Sequence, residues 1–338
     1  GMALDRIGPR RALLLAALII ALSGALRATA DDHLSLFLAV ALFGLGGPLI
    51  SIGAPKLVAI WFNSRERGLA MGLYITGPAL GGITALTATN SIAMPLAAGN
   101  WRLVLFAYAG FVVLASAAWL LISAHPAVRA SELSLKKTLR QPQGEVFRAL
   151  LQVPAVRLLL LMGIGIFFFN HGLSNWMPEI LRSSGMSIAE AGIWAALPVA
   201  IGIVSAILIS RIAVPKRRYW IMLGLLLCGA GASLLFRAEA LPVLALGLAL
   251  QGIGHGTMMT VAMLMLVEQP AVGAQRAGMA GGLFFAAAEI GGVLGPLSLG
   301  VLFDLTGGFS LSLAVLTAIM AILVLLLWRL WSVAPTKA

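Results

Sequence analysis

Charge, cysteine and acidic groups are the scarce commodities of this 338-residue chain. Asp, Glu, Lys and Arg together make up only 10% of it, and 60% is hydrophobic, with a mean hydropathy of +1.01. A water-soluble domain of this size carries about 25% charged residues to cover its surface, so a soluble globular protein is excluded. The single cysteine, Cys228, lies inside an apolar run, which excludes an intramolecular disulfide and reads as packing. No phosphate-cradling Walker loop, no H-E-x-x-H and no Cys/His metal spacing occurs. The chain is therefore read as carrying no catalytic residues, no metal site and no cofactor, and as no enzyme.

What is present is a series of about ten runs long enough to span a bilayer. They fall near residues 12–29, 35–61, 69–94, 102–124, 155–178, 187–210, 219–236, 240–267, 277–302 and 309–331. Lipid offers no hydrogen bonds to the backbone, so only helices or a closed barrel survive there. The two-residue alternation of barrel strands is missing, which leaves an all-α membrane protein.

The formal charge of +11 could point to nucleic acid, but its placement argues against that partner. Most Lys and Arg fall on alternate loops: Arg6, Arg10, Arg11, Arg65, Arg67, the 129–157 stretch, Arg211, Lys216, Arg217, Arg218, Arg276, Arg329 and Lys337. Only Arg27, Arg102, Arg182 and Arg237 fall on the other side. Positive charge marks the cytoplasmic side, so the basic loops and the C-terminus are expected there, in a plasma membrane of the bacterial inner-membrane kind. Trp101, Trp176, Trp220 and Trp328, near the ends of runs, are expected to anchor at the interfaces.

The sequence repeats itself. Residues 68–83, GLAMGLYITGPALGGI, align without gaps to 278–293, GMAGGLFFAAAEIGGV, and ALFGLG at 41–46 aligns to ALQGIG at 249–254. Both pairs are offset by 208 to 210 residues. The shift carries 219–236 onto the first run, while the counterparts of 155–178 and 187–210 fall mostly before residue 1. Roughly 55 further residues, two helices, are thus expected to precede Gly1 in a six-plus-six bundle. The halves are 1–124 and 154–338, joined by a polar connector at 125–153 that is either an interfacial amphipathic helix or a bare linker.

The opening residues Gly1-Met2-Ala3-Leu4-Asp5-Arg6-Ile7-Gly8-Pro9-Arg10-Arg11 resemble the loop between the second and third helices of the major facilitator superfamily, G-x-x-x-D-R-x-G-R-R/K, with Pro9 departing from the usual basic residue. The resemblance implies a cytoplasmic gate built from Asp5, Arg6, Gly8 and Arg10, in which Asp5 faces a helix N-terminus. Gly77-Pro78-Ala79-Leu80-Gly81-Gly82 resembles the G-P-x-x-G-G element of drug/proton antiporters, and the other half carries Gly295 and Pro296. Such residues serve as a hinge or a close-packing surface. The family's fourth-helix arginine would fall at Val40, and its repeat counterpart at Leu248, which argues against the usual drug antiporter. WFNSRERG at 61–68, NHGLSNWMPEIL at 170–181 and GGLFFAAAEIGGVLGP at 281–296 resemble the cyanate-permease-like branch.

Among acidic residues only Glu289 falls near the middle of a run, where a charge costs about 2.5–3.5 kcal/mol. It is the candidate for proton coupling, expected as a buried carboxylate that holds and releases a proton. Gln251 and His255, four apart, share one helix face, as do His171 and Asn175, with Asn170 beside them and Ser174 between. The resemblance makes these helices the seventh and tenth of the bundle, which line the central cavity, so the five residues are expected to converge on one small-molecule site. Ser187 and Glu190 form a capping box. The expectation is a secondary transporter for a small polar or organic or inorganic anion in a lipid bilayer, with protons as a candidate co-substrate. A proton-coupled multidrug exporter and a transport-inactive receptor or assembly partner are the alternatives.

Overall fold

In a computed structural model of the chain, residues 8–62, 67–124, 143–238 and 240–333 are described. Asp5 and Arg6 of the expected gate lie outside them, as does most of the connector. Among the described residues there are eleven α-helices of ten residues or more and no strand. They are α1 Pro9–Thr29, α2 His33–Trp61, α3 Arg67–Ala88, α4 Trp101–Ser123, α5 Gln143–Gln152, α6 Pro154–Ser183, α7 Ile188–Ile212, α8 Arg218–Leu235, α9 Leu241–Val267, α10 Gly273–Thr306 and α11 Ser310–Val333. Nine of them are long and apolar enough to cross a membrane. The run expected at 69–94 is helical as α3, which passes through a π-helical turn, Thr89–Ala93, into a last turn, Met94–Leu96.

Helix ends are set by local chemistry. Gly8 caps α1 at φ 82°, a conformation that favours glycine, and Pro9 follows at the first helical position, where its missing N–H costs nothing. Asp32 and Ser35 exchange side-chain and backbone bonds at the start of α2. Ser187 and Glu190 form the expected capping box on α7, with Ser187 N–H donating to Glu190 Oε2 at 3.0 Å and Glu190 N–H to Ser187 Oγ at 3.3 Å. Gly307, left-handed at φ 70°, closes α10 by donating its N–H to Phe303 O.

The chain divides into two compact units, Gly1–Leu139 and Arg140–Ala338. In the first, α1 packs against α2 and α4. Lipid gives helices no hydrophobic reason to associate, so small residues and interhelical hydrogen bonds hold them. A Cβ on Gly46 would stand 2.8 Å from Ala16 O, and Ser23 Oγ donates to Ala39 O at 2.7 Å. At one end of α1, Arg10 Nε donates to Ser123 Oγ at 2.9 Å, and Arg10 O accepts Trp119 Nε1–H. At the other, Arg102 bonds Ala28 O and Asp31. A Cβ added at Gly77, Gly81 or Gly82 of α3 would meet nothing within 4 Å among the described residues.

In the second unit α6 is the central helix, packed against α5, α7, α9, α10 and α11. Its closest partner is α10. A Cβ on Gly291 would fall 1.8 Å from Ile164 O, and one on Gly295 would fall 2.2 Å from Phe168 O. Only glycine permits this approach of two backbones. Helices α7 and α9 meet in the same way at Gly202 and Gly252, with Ser205 Oγ 3.1 Å from Thr257 Oγ1. Ser233 and Thr317 tie α8 to α11 at 2.8 Å. Arg218 pairs with Glu268 and donates to Ala213 O, fastening the start of α8 to the end of α9. Helix α5 covers part of the expected connector, and its Leu150 is fully buried.

Trp176, expected as an interface anchor, is tied into the bundle. Its Nε1–H donates to Pro296 O at 2.9 Å, and its ring packs on Phe303 and Phe309. Gly300 leaves room for the indole, since a Cβ there would lie 2.9 Å from Cζ2. The half-buried indole N–H thus finds its acceptor inside the protein.

Candidate functional site

The polar side chains singled out in the sequence occupy one level of the second unit. Asn170 and His171 on α6, His255 on α9 and Glu289 on α10 each stand within three residues of the midpoint of their helix. Mid-helix is where a polar group costs most in lipid and is therefore most in need of a role.

They form two adjoining groups rather than one. In the first, Asn170 Nδ2 donates to the main-chain oxygen of His255 at 3.2 Å, and Ser174 Oγ lies 3.4 Å from His255 Nδ1. Asn170 and Ser174 are one turn apart, so both face α9. Gln251, one turn from His255, is 2% exposed. The amide oxygens of Asn170 and Gln251 are buried without a hydrogen-bond partner among the described residues.

In the second group, His171 and Glu289 approach one another across the α6–α10 contact. A Cβ placed on buried Gly292 would lie 3.0 Å from Glu289 Oε2 and 3.0 Å from His171 Nδ1. The two atoms are therefore within about 6 Å of each other, the range over which opposite charges act on one another's protonation. The imidazole stacks on Phe167, centroids 4.8 Å apart and planes 21° apart, and Phe285 meets Phe167 edge-on. Asn175 turns back to donate from Nδ2 to His171 O at 2.9 Å, and its side chain is exposed.

Two expectations change here. Glu289 is exposed on the surface of its unit, not buried, because Gly291 and Gly295 are what α10 presses into α6 and the carboxylate lies off that line. The five expected cavity residues divide between one cluster, Asn170, Gln251 and His255, in which the two amides are buried and the imidazole half-buried, and a second, half-buried His171 with exposed Asn175. Sequence reasoning passed over Gly292 and Phe167. The signal for Gly292 was its place three residues after Glu289, on the same face of the helix. It also passed over the turn that follows α3, where Thr89 and Tyr108 share a 2.7 Å hydrogen bond at the π-helical turn. The string Thr87, Thr89, Asn90, Ser91 within an apolar run was the available sign.

Of the remaining predicted residues, Gly8 and Arg10 hold the start of α1 as described, and Pro78 and Pro296 sit inside α3 and α10, which continue through them. No group of three or more His, Cys, Asp or Glu able to hold a metal occurs among the described residues.

A helical membrane bundle with a mid-helix polar belt defines the class of polytopic membrane proteins that handle solutes within the bilayer. The profile of the Major Facilitator Superfamily matches residues 1–236 and 180–338, and the chain belongs to that family. It is 26% identical to "Uncharacterized transporter YycB" of Bacillus subtilis (strain 168) over 94% of this chain and 76% of that one. It is 24% identical to "Probable galactarate/D-glucarate transporter GudP" of Escherichia coli (strain K12), over 92% of this chain and 76% of the relative. Among solved structures, a bacterial homologue of the human lysosomal transporter Spinster, inward-facing and unoccupied, superimposes with a TM-score of 0.71 at 16% identity, covering 98% of this chain and 85% of that one. A crystal structure of the E. coli fucose:proton symporter, FucP, gives a TM-score of 0.58 at 14% identity, covering 98% of this chain and 86% of that one. The protein is an integral membrane protein of a transporter family.

Proposed function

We propose that this protein is a secondary transporter that moves a small polar or organic anion by alternating access, with a proton as co-substrate. The observation that carries the reading is the placing of His171, His255, Asn170 and Glu289 at the midpoints of three packed helices, the depth at which transporters of this design hold their solutes. Imidazole and amide N–H groups are donors suited to an anion. A carboxylate beside them repels that anion until it is protonated, so proton and solute binding reinforce one another. The name of the galactarate/D-glucarate relative supports an organic acid, and the residues that resemble the cyanate-permease-like branch support a small anion. In this reading 1–124 and 154–338 are the two halves, and the basic loops face the cytoplasm of a bacterial cell.

The test is uptake by the purified protein in sealed vesicles, using radiolabelled galactarate, D-glucarate and cyanate with and without an inward proton gradient. Accumulation of one of these, faster with the gradient and competed by the unlabelled anion, is the expected result. Uptake of none of the three by protein that remains folded overturns the anion reading; efflux of amphipathic dyes in the same vesicles would replace it with a drug exporter.

A further inference from the structure

We infer that His171 and Glu289 act as one proton-holding pair, and that Gly292 is the positioning residue that makes the pair possible. The inference deepens the proposed transport reading, which assigns the proton to Glu289 and leaves His171 to the solute.

The geometry is specific. Gly292 sits buried between α10 and α6, and the place its Cβ would take is 3.0 Å from both Glu289 Oε2 and His171 Nδ1. That is tighter than ordinary contact, so any larger residue at 292 pushes the two side chains apart. Glu289 and Gly292 are one turn apart on α10, which aims the carboxylate past the glycine towards α6. The His171 ring is stacked on Phe167 at 4.8 Å, which fixes the plane of the imidazole. Gly291 and Gly295 keep the two helices in backbone contact one position before Gly292 and three after it.

The other titratable group at this depth on a helix packed against α6 is His255 of α9, whose Nδ1 lies 3.4 Å from Ser174 Oγ, one turn along α6 from His171. The remaining charged groups on the helices packed against α6 stand near helix ends: Glu190 and Arg211 on α7, Arg276 and Asp304 on α10, and Arg329 on α11. Glu145 and Arg148 belong to α5, which leads into the start of α6. At mid-helix depth the carboxylate thus has imidazole as its neighbour. One proton taken from water onto the pair rests on imidazole Nδ1 beside the carboxylate or on Oε2 beside neutral imidazole. The same proton leaves to water when the pair is next exposed, with no other bond made or broken.

The test needs no solute. Purified protein in phosphatidylcholine vesicles is titrated from alkaline to acidic pH while the infrared carbonyl band of protonated carboxyl groups is followed, with Glu289→Gln identifying the band that belongs to this residue. His171→Gln and Gly292→Ala are each expected to displace the pH at which that band appears, in the same direction. In the His171→Gln background Gly292→Ala is expected to add nothing, as a double-mutant cycle demands of groups acting through one interaction. Gly282→Ala, on the same helix with nothing within 4 Å of its Cβ position among the described residues, should leave the band in place. A band unmoved by His171→Gln overturns the pair, and so does a Gly292→Ala displacement that persists undiminished without His171. If Gly292→Ala fails to fold, the His171→Gln titration alone decides. Either failure leaves the uptake of an anion, measured separately, untouched.

Discussion

Glu289 Oε2 and His171 Nδ1 reach one point from two helices, and the side chain that would separate them is absent at Gly292. This relationship ties the acid that the sequence marks for protons to a residue it marks for solute.

The first prediction concerns Glu289 itself. Glu289→Gln keeps the shape of the side chain and removes the titration. Solute uptake by the variant should lose its acceleration by an inward proton gradient while exchange of internal for external solute continues. Unaltered acceleration in vesicle uptake would show that the proton is handled elsewhere.

The α6–α10 contact gives a stability prediction. Gly291→Ala and Gly295→Ala force a methyl into backbone atoms 1.8 and 2.2 Å away, and overpacking of this kind costs about 1–3 kcal/mol or more. Gly282→Ala should change stability by less than about 0.5 kcal/mol. Thermal unfolding of the three variants in one detergent would check the order; equal melting temperatures would refute the close contact.

Interhelical hydrogen bonds should be measurable as well. Asn170→Ala removes the tie from α6 to His255 O, and Trp176→Phe removes the tie to Pro296 O. Each is expected to cost about 0.6 kcal/mol, the average for such bonds in a membrane bundle, and no more than about 1.7. Trp328→Phe, at an exposed ring, should cost less, and melting curves would distinguish them.

Asp32 offers a pH dependence outside the membrane-spanning segments. The backbone N–H and the hydroxyl of Ser35 hold its carboxyl below the usual range. A depressed acid stabilises the folded state above its unfolded value, and that contribution is lost as pH falls through the folded one. Asp32→Asn should therefore flatten the acid limb of the stability profile while retaining the cap, whereas Asp32→Ala should lower the melting temperature at neutral pH. A profile identical to wild type in Asp32→Asn would disprove the linkage.

Much of this architecture was legible beforehand, for reasons particular elements show. Length and apolarity alone locate α1, α4 and α11, because lipid demands them. The capping box at Ser187 and Glu190 was readable because a cap is a local event three residues wide. Glu289, His171 and His255 stood out because mid-span polarity is rare. What sequence reasoning could not see was partnership. Helical spacing puts His171 and Asn175 on one face, but which neighbour that face meets depends on the rotation of α6 against α9 and α10, set by glycines far along the chain. Trp176 is a case of the same kind: the sequence does not show that its N–H meets Pro296 O. The surplus residue of the π-helical turn at Thr89–Ala93 leaves no periodic trace in so apolar a segment.

Helices α6 and α10 touch through bare backbone at Gly291 and Gly295, where neither can slide or roll without collision. They behave as a splinted beam. Whatever bending a transport cycle requires of the second unit has to be absorbed by the helices around that beam, and the backbones that carry imidazole and carboxylate keep their separation.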